Sequence, residues 1–339
     1  MRISDLGEFP LIDRVEQIVK LERPDIVVGI GDDVAVLEGR RDDLILATVD
    51  SQVEDVHFLR ERIAPRQLGR RALAVNLSDI AAIGGRPQYA LVSLALPREI
   101  EVAWVEELYR GMHEEAERAG VAVVGGNMAR SPRGIFIDVC VLGRVRREHL
   151  LLRSGAQPGD CVLVTGWLGD AAAGLRLLLD SGLVVTGAEA TWLLDRHLTP
   201  IPRLIESAVI ARTGWATAMI DLSDGLSSDI GHICDRSRVG VRIWAERLPV
   251  SAAAQRVAGL TATPVWQLAL AGGEDYELCF TAPAAAAEAL KDAVVAATST
   301  PVTVVGEIVP AEQGRWLVLP NGQEVPLDPG GWEHFRQSA

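Results

Sequence analysis

Residues 66–85 read RQLGRRALAVNLSDIAAIGG, and this stretch organises the first half of the chain. The apolar residues recur at helical spacing, at Leu68, Ala72, Val75, Ile80 and Ile83. A Gly-Gly pair at 84–85 follows them, as expected just past the C-terminal end of a helix. Asn76 and Asp79 lie three residues apart and therefore on one face of this helix. The pattern predicts an amphipathic helix that carries polar groups toward a site.

Predicted strands precede and follow this helix in the sequence. In the first half we predict two strands joined by a glycine turn at 26–37 and an acidic amphipathic helix at 101–119. Single strands are predicted at 44–50, 89–97, 121–126 and 134–145. A Gly- and Pro-containing loop at 153–160 follows. Strands and helices then alternate at 161–165, 169–181, 188–212, 217–236 and 275–297, with a final strand at 301–309. The fold class is a mixed α/β (α+β) arrangement in two domains, 1–150 and 151–339.

The composition excludes several classes of protein. The chain has 46 acidic and 33 basic residues, a net charge of −13, which argues against nucleic acid as a partner. The four cysteines show no Cys-x-x-Cys spacing, so a zinc knuckle is not expected and reduced thiols in a cytoplasmic protein fit better. The N-terminus lacks the apolar core of a signal peptide, and the apolar runs fall short of the ~18–20 residues of a membrane span. We therefore expect neither a membrane partner nor export.

Acids recur beside glycines at the ends of apolar strands and in the central helix. They lie in five places, at Asp32-Asp33, Asp50, Asp79, Asp221/Asp224 and Glu274-Asp275. Any one of them is most often a turn former or a helix N-cap. Five together, without histidine or thiolate partners, suit a hard cation, and the absence of EF-hand spacing favours Mg²⁺.

The familiar nucleotide-binding motifs are missing. The chain has no G-x-x-x-x-G-K-[ST] segment and neither the H-R-D nor the D-F-G motif of protein kinases. Phosphoryl transfer in this chain would therefore depend on metal ions that bridge carboxylates and phosphates.

Eight segments together carry a family resemblance. In chain order they are GIGDDVAVL (29–37), VDSQVEDVHFL (49–59), ALAVNLSDIAAIGG (72–85), GGNMARS (125–131), RSGAQPGD (153–160), VTGWLGD (164–170), DLSDGLSSD (221–229) and GGEDYELCF (272–280). This order is similar to that of the thiamine-monophosphate kinases, within the wider aminoimidazole ribonucleotide synthetase-like superfamily. The resemblance implies ATP and thiamine monophosphate as substrates, several Mg²⁺ ions, and a homodimer whose N-terminal sheets pair across the interface.

The resemblance also implies roles for individual residues. Metal ligands are expected at Asp33, Thr48, Val49 (through its backbone), Asp50, Asp79, Asn127, Asp221 and Asp224. ATP contacts are expected at Tyr109, Gly126, Asn127, Arg153 and Ser223. Substrate contacts are expected at His57, Glu274 and Trp332. No residue is assigned as a general acid or base, because the implied transfer is direct.

One departure from the family pattern lies at 125–129, which reads GGNMA where the family usually reads GGDTT. Asn127 keeps a carbonyl oxygen but lacks the charge of the family's aspartate. We expect a weaker hold on Mg²⁺ with the activity retained.

Two alternatives stay open at this point. A superfamily relative could act on another small substrate, although the sequence shows neither the reactive N-terminal cysteine nor the C-terminal cysteine of the selenophosphate and hydrogenase-maturation branches. Loss of the aspartate at 127 would also suit a non-catalytic binder of thiamine phosphates and nucleotides.

Overall fold

A computed structural model describes residues 3–19, 23–328 and 330 of the 339-residue chain. In the first half the helices are α1 (Ile3–Leu6), α2 (Glu8–Val19), α3 (Pro65–Ala82) and α4 (Val102–Ala119). The strands of this half are β1 (Ile26–Val28), β2 (Ala35–Glu38), β3 (Asp43–Val53), β4 (Arg86–Leu96), β5 (Ala122–Arg130) and β6 (Phe136–Arg146). The central helix predicted from residues 66–83 is present as α3.

The six strands of the first half form one sheet in the order β1-β2-β3-β6-β4-β5. All neighbours in it are antiparallel except β4 and β5. Alternate residues of β3, β4 and β6 are buried, which is the period-2 pattern of a sheet with one covered face. Helix α3 packs against this face, and α4 packs against α3. Every residue of the edge strand β5 is exposed.

Two glycines allow α3 and α4 to approach closely. A Cβ atom on Gly69 would lie 1.8 Å from the carbonyl oxygen of Leu108, and one on Gly111 would lie 1.8 Å from that of Arg66. The contact is reciprocal, since each glycine faces the backbone of the other helix. It fixes α3 between α4 and the sheet.

A seven-stranded sheet forms the second half, in the order β13-β12-β9-β11-β7-β10-β8. Its strands are β7 (Asp160–Thr165), β8 (Ala218–Asp221), β9 (Val239–Trp244), β10 (Leu278–Pro283), β11 (Val302–Pro310), β12 (Arg315–Val318) and β13 (Glu324–Pro326). The helices are α5 (Asp170–Leu179), α6 (Ala188–Leu198), α7 (Leu204–Thr213), α8 (Leu226–Ser237), α9 (Ala252–Leu260), α10 (Val265–Ala271) and α11 (Ala284–Thr298). A division of the chain near residue 150 stays a proposal.

Helix α3 also contacts the second half. Its Ala81 belongs to a buried apolar cluster with Leu163 and Phe280, which lie on β7 and β10. The carbonyl oxygen of Ala81 accepts a 2.5 Å hydrogen bond from the Ser207 hydroxyl on α7. One helix therefore packs against both halves of the molecule.

The sequence prediction missed several elements. Helix α2, strands β9, β12 and β13, and helices α9 and α10 were not predicted, and β11 is not the final strand. The missed strands are only three to six residues long, too short for alternation to separate them from loops. None of the helices in the described part of the chain combines the length and apolar character that a membrane span needs.

Candidate active site

Carboxylates from both halves of the chain converge beside α3. Asp33 follows the Gly31 turn, Asp79 projects from α3, and Asp221 is the last residue of β8. One oxygen from each of these three residues lies within 4.8 Å of the others. Three sequence-predicted ligands, separated by up to 188 residues, therefore share one site.

Neighbouring polar side chains hold these carboxylates in place. The Thr48 hydroxyl donates to Asp79 Oδ2 at 2.6 Å, and the Ser78 hydroxyl donates to Asp221 Oδ2 at 2.6 Å. Asn76 Oδ1 accepts a 2.9 Å hydrogen bond from the backbone N–H of Asp50. Ser78 was not among the predicted site residues, although its position next to Asp79 in the NLSD segment was a signal for it.

One carboxylate oxygen of Asp33 accepts a hydrogen bond, and the other has no partner among the described residues. Its Oδ1 accepts from the Arg153 guanidinium at 2.5 Å, and the backbone N–H of Arg153 donates to Asp32 Oδ2 at 3.2 Å. The side chain of Asp33 is only 2 % exposed, and its Oδ2 is buried without a hydrogen-bond partner among the described residues. A buried carboxylate oxygen without a partner is costly, and a bound cation would satisfy it.

The electrostatics of the cluster favour a cation as well. Burial, with the Asp33 charge next in size, raises the pKa of Asp221 to about 8. Burial and then the Asp50 charge raise the pKa of Asp79 well above its usual value. Burial also raises the pKa of Asp224 to about 7. Without a cation, Asp221 and Asp224 therefore retain protons near neutral pH, and a bound divalent ion would displace these protons.

The donor set fits Mg²⁺. The ligand atoms of Asp33, Asp79 and Asp221 are all carboxylate oxygens, the kind that hard cations prefer. The Thr48 hydroxyl and the Asp50 carboxylate, on the same strand, extend this oxygen-rich set.

A second acidic group surrounds the start of α8. Asp224, Asp229 and His232 offer ligand atoms within 4.8 Å of one another. Asp229 Oδ2 also accepts from the backbone N–H groups of Asp224 and Gly225, at 3.3 and 3.0 Å, and so fixes the turn that carries Asp224. Neither Asp229 nor His232 was predicted as a site residue. The DLSDGLSSD segment contains Asp229, but its hydrogen bonds to the turn before α8 cannot be read from residue type.

Glu274 lies beside this turn. Its backbone N–H donates to the Ser223 carbonyl oxygen at 2.7 Å. Its carboxylate pairs with Arg71 of α3 and lies 3.1 Å from His197 Nδ1, in an electrostatic contact without the alignment of a hydrogen bond. Burial opposes ionisation, but the Arg71 and His197 contacts outweigh it and lower the pKa of Glu274 to about 2. Glu274 is therefore ionised at neutral pH.

Other predicted site residues lie elsewhere in the chain. Asn127 pairs through the sheet register with Ser93, Ser93 with Asp138, and Asp138 with Ser51. Residues paired in this way share one face of a sheet. Val49 shares this open face, because it is two residues from Ser51, whereas Thr48 contacts Asp79 on the helix-covered face.

The remaining predicted contacts are scattered. Tyr109 packs on α4 against the first-half core. Gly126 lies on β5, where a Cβ atom would meet the Val92 carbonyl oxygen at 1.8 Å. His57 Nδ1 accepts from the Val53 backbone N–H at 3.0 Å. Trp332 lies outside the described residues.

Comparison with family models divides the chain between two domain types. Residues 31–145 match the N-terminal domain of AIR synthase related protein, and residues 157–317 match the C-terminal domain.

Similar proteins span nearly the whole chain. The thiamine-monophosphate kinase of Escherichia coli strain K12 is 38% identical over 329 residues, covering 97% of this chain and 98% of that protein. The thiamine-monophosphate kinase of Aquifex aeolicus is 38% identical over 335 residues, covering 99% and 100%. A solved structure of AaThiL complexed with AMPPCP and TMP has a TM-score of 0.86 at 36% identity and covers 98% of this chain and 99% of that one. Escherichia coli HypE, a hydrogenase maturation protein, shares the fold at 20% identity and a TM-score of 0.71.

The carboxylate cluster predicts an unusual pH dependence of stability. Asp221 has a folded-state pKa of about 8 and an unfolded one near ~3.9, so the folded state binds more protons between these values. Without Mg²⁺, the free energy of unfolding should therefore fall as the pH rises from about 5 to about 8. Urea unfolding at several pH values measures this, and Asp221→Asn should flatten the decline. Mg²⁺ should stabilise the native protein more at pH 8 than at pH 6, and equal stabilisation at both would contradict a metal role for the cluster.

Proposed function

Because the chain belongs to the thiamine-monophosphate kinase family, with both AIR synthase related domains, we propose that it transfers the γ-phosphoryl group of ATP to thiamine monophosphate. The observation that carries the proposal is the convergence of Asp33, Asp79 and Asp221 on one site from both halves of the chain. The protein is a kinase, and its products are thiamine diphosphate and ADP.

The chemistry requires no general base. A phosphate oxygen of thiamine monophosphate forms a bond to the γ-phosphorus of ATP, while the bond from that phosphorus to the β,γ-bridging oxygen breaks and ADP leaves. The second pKa of a phosphomonoester is near ~6, so the attacking oxygen is already deprotonated at neutral pH. What the site must provide is alignment of two polyanions and neutralisation of their charge.

Mg²⁺ fits as the source of that neutralisation. Asp33, Thr48, Asp79 and Asp221 would hold ions at the cluster, with Asp50 and Asp224 on its borders. When bound, the ions offset the negative charge of the transferring phosphoryl group. The Arg153 guanidinium is paired with Asp33, and the Arg153 backbone N–H donates to Asp32. The guanidinium therefore adds a positive charge of the protein itself beside the carboxylate cluster.

The substrate contacts implied by the family resemblance are proposals of the same kind. Ser223, at the turn into α8, and Arg153 would contact the ATP phosphates, and a helix start offers backbone N–H groups to an anion. Glu274, His57 and Trp332 would contact thiamine monophosphate. Tyr109, Gly126, Asn127 and the backbone of Val49 would meet ATP or its metal. Asn127 lies on the open face of the first-half sheet, so we assign it to a site apart from the carboxylate cluster within one chain.

We expect purified protein to form thiamine diphosphate and ADP from thiamine monophosphate, ATP and Mg²⁺, with no product from free thiamine, because the acceptor must be a phosphate. Asp79→Asn should lower turnover by about a thousand-fold or more, as expected when a charge-neutralising group at the reacting atoms is lost. Chromatographic separation of the thiamine phosphates measures both. Asp292→Asn, an exposed change on α11, is the control. No product at any Mg²⁺ concentration, with tight binding of both substrates, would favour the non-catalytic binder.

We also propose a homodimer that covers the open face of the first-half sheet. This face and the adjoining edge strand β5 expose apolar side chains, namely Val49, Tyr89, Leu91, Val124, Met128 and Phe136. An exposed apolar patch next to an unpaired edge strand is typical of an interaction surface. The free cysteines suit a reducing compartment, and we place the reaction in the cytoplasm.

Leu91→Glu should convert the dimer into a folded monomer, because it introduces a charge into the centre of the apolar face. Sedimentation velocity measures the mass, and far-UV circular dichroism checks the fold. Val295→Glu, at an exposed apolar position on α11, should leave the dimer intact. A monomeric native protein, or a Leu91→Glu dimer as stable as that of Val295→Glu, would refute this interface.

A further inference from the structure

The charged side chain of Arg71 is buried inside the protein. It lies on α3, and its side chain is 1 % exposed. A buried guanidinium is unfavourable unless its N–H groups are paired. The partners of Arg71 therefore show whether it stabilises the fold or positions another side chain.

The guanidinium of Arg71 joins three separate segments. Its Nε donates to Gln52 Oε1 on β3 at 3.0 Å. Its other two nitrogens donate to the backbone carbonyl oxygen of His197 and to Glu274 Oε1. Gln52 holds the guanidinium from the first half of the chain, and the other two partners, His197 and Glu274, belong to the second half.

The segment that carries Glu274 has an unusual backbone. Gly273, Glu274 and Tyr276 have φ angles of +64°, +60° and +50°, in the left-handed region that favours glycine. The backbone N–H groups of Glu274 and Tyr276 donate to the carbonyl oxygens of Ser223 and Leu222, at 2.7 and 2.8 Å. This conformation persists only because its surroundings hold it. It also sets Glu274 against the Ser223–Asp224 turn.

The carboxylate of Glu274 is held from two sides and open on another. Arg71 contacts Oε1, and His197 Nδ1 lies 3.1 Å from Oε2. The side chain is nevertheless 27 % exposed, so a ligand beside the Ser223–Asp224 turn can reach it. An oriented anion at that place suits a ligand that carries a positive charge or N–H donors. Thiamine monophosphate has both, in its thiazolium ring and its aminopyrimidine.

We propose that Arg71, with His197, is the positioning residue that aims Glu274 at the cationic ring system of the phosphate acceptor. This role rests on the proposed kinase function and on Glu274 as an acceptor contact. Arg71 acts through Glu274 and does not touch the substrate. Because Arg71 shares α3 with Asp79, the helix sets the distance between the acceptor's ring system and the metal-bearing end of the site.

The first test separates acceptor recognition from the rest of catalysis. Arg71→Met should raise the KM for thiamine monophosphate by about ten-fold or more, as expected when a partner of a charged hydrogen bond is removed. The KM for ATP should change by less than about two-fold, because the hydrogen bonds of Arg71 go to Gln52, His197 and Glu274 and not to the Ser223–Asp224 turn. Arg71→Lys keeps the charge without the fork and should have an intermediate effect. Arg66→Met, an exposed arginine of the same helix, should leave both constants unchanged.

A double-mutant cycle with Glu274→Gln decides whether Arg71 acts through this carboxylate. Once Glu274 is neutral, Arg71→Met should add little to the loss of acceptor affinity, since two residues that act as a unit are not additive. Calorimetric binding of thiamine monophosphate gives the four affinities without turnover, and thermal unfolding checks that each variant folds. If Arg71→Met does not fold, the cycle is run with Arg71→Lys.

Additive losses in the cycle, or equal rises in the KM for ATP and for the acceptor, would mean that Arg71 only stabilises the fold, and would overturn the proposal. Absence of kinase activity in the native protein would instead count against the proposed function itself.

Discussion

The repulsion among buried carboxylates is the constraint on which this structure depends. Oxygens of Asp33, Asp79 and Asp221 lie within 4.8 Å of one another, in surroundings that raise the pKa of Asp79 and of Asp221 and so disfavour their charged forms. Like charges at this spacing cannot all be ionised without positive charge nearby. Hydroxyl groups of Thr48 and Ser78 and one guanidinium offset part of the cost, but an oxygen of Asp33 is still left over. We propose that cations complete the site, and in that state two phosphate groups can also be brought together.

Helix α3 is how the fold meets this constraint. Successive positions of the helix point to different partners. Arg71 reaches Glu274, Ser78 binds Asp221, and Asp79 contacts Thr48. The helix is buried between α4 and both sheets, with Gly69 allowing the close approach of α4. A rigid, buried helix keeps carboxylates from distant parts of the sequence at fixed separations, which loops would not.

The sequence predicted much of this arrangement, for physical reasons that also explain the failures. Periodicity identified α3, and the acids at strand ends were recognisable because glycines and apolar runs flank them. The sequence could suggest that Asp33, Asp79 and Asp221 converge, but it could not locate the point of convergence. That point depends on how α3 crosses between the two sheets. Arg71 could not be found at all. In the sequence it reads as one of two adjacent surface arginines, and only packing reveals that it is buried. Asp229 was missed for another reason, because a carboxylate that accepts hydrogen bonds from a turn and one that binds a metal are the same residue type in the sequence.

Crystals grown with Mn²⁺ and a non-hydrolysable ATP analogue would test the central claim most directly, because Mn²⁺ replaces Mg²⁺ at oxygen sites and is located by its anomalous scattering. We predict an anomalous peak bounded by the carboxylates of Asp33, Asp79 and Asp221, with the left-over oxygen of Asp33 among its ligands. Ordered nucleotide bound to the protein, with no metal peak between these three residues, would contradict the account.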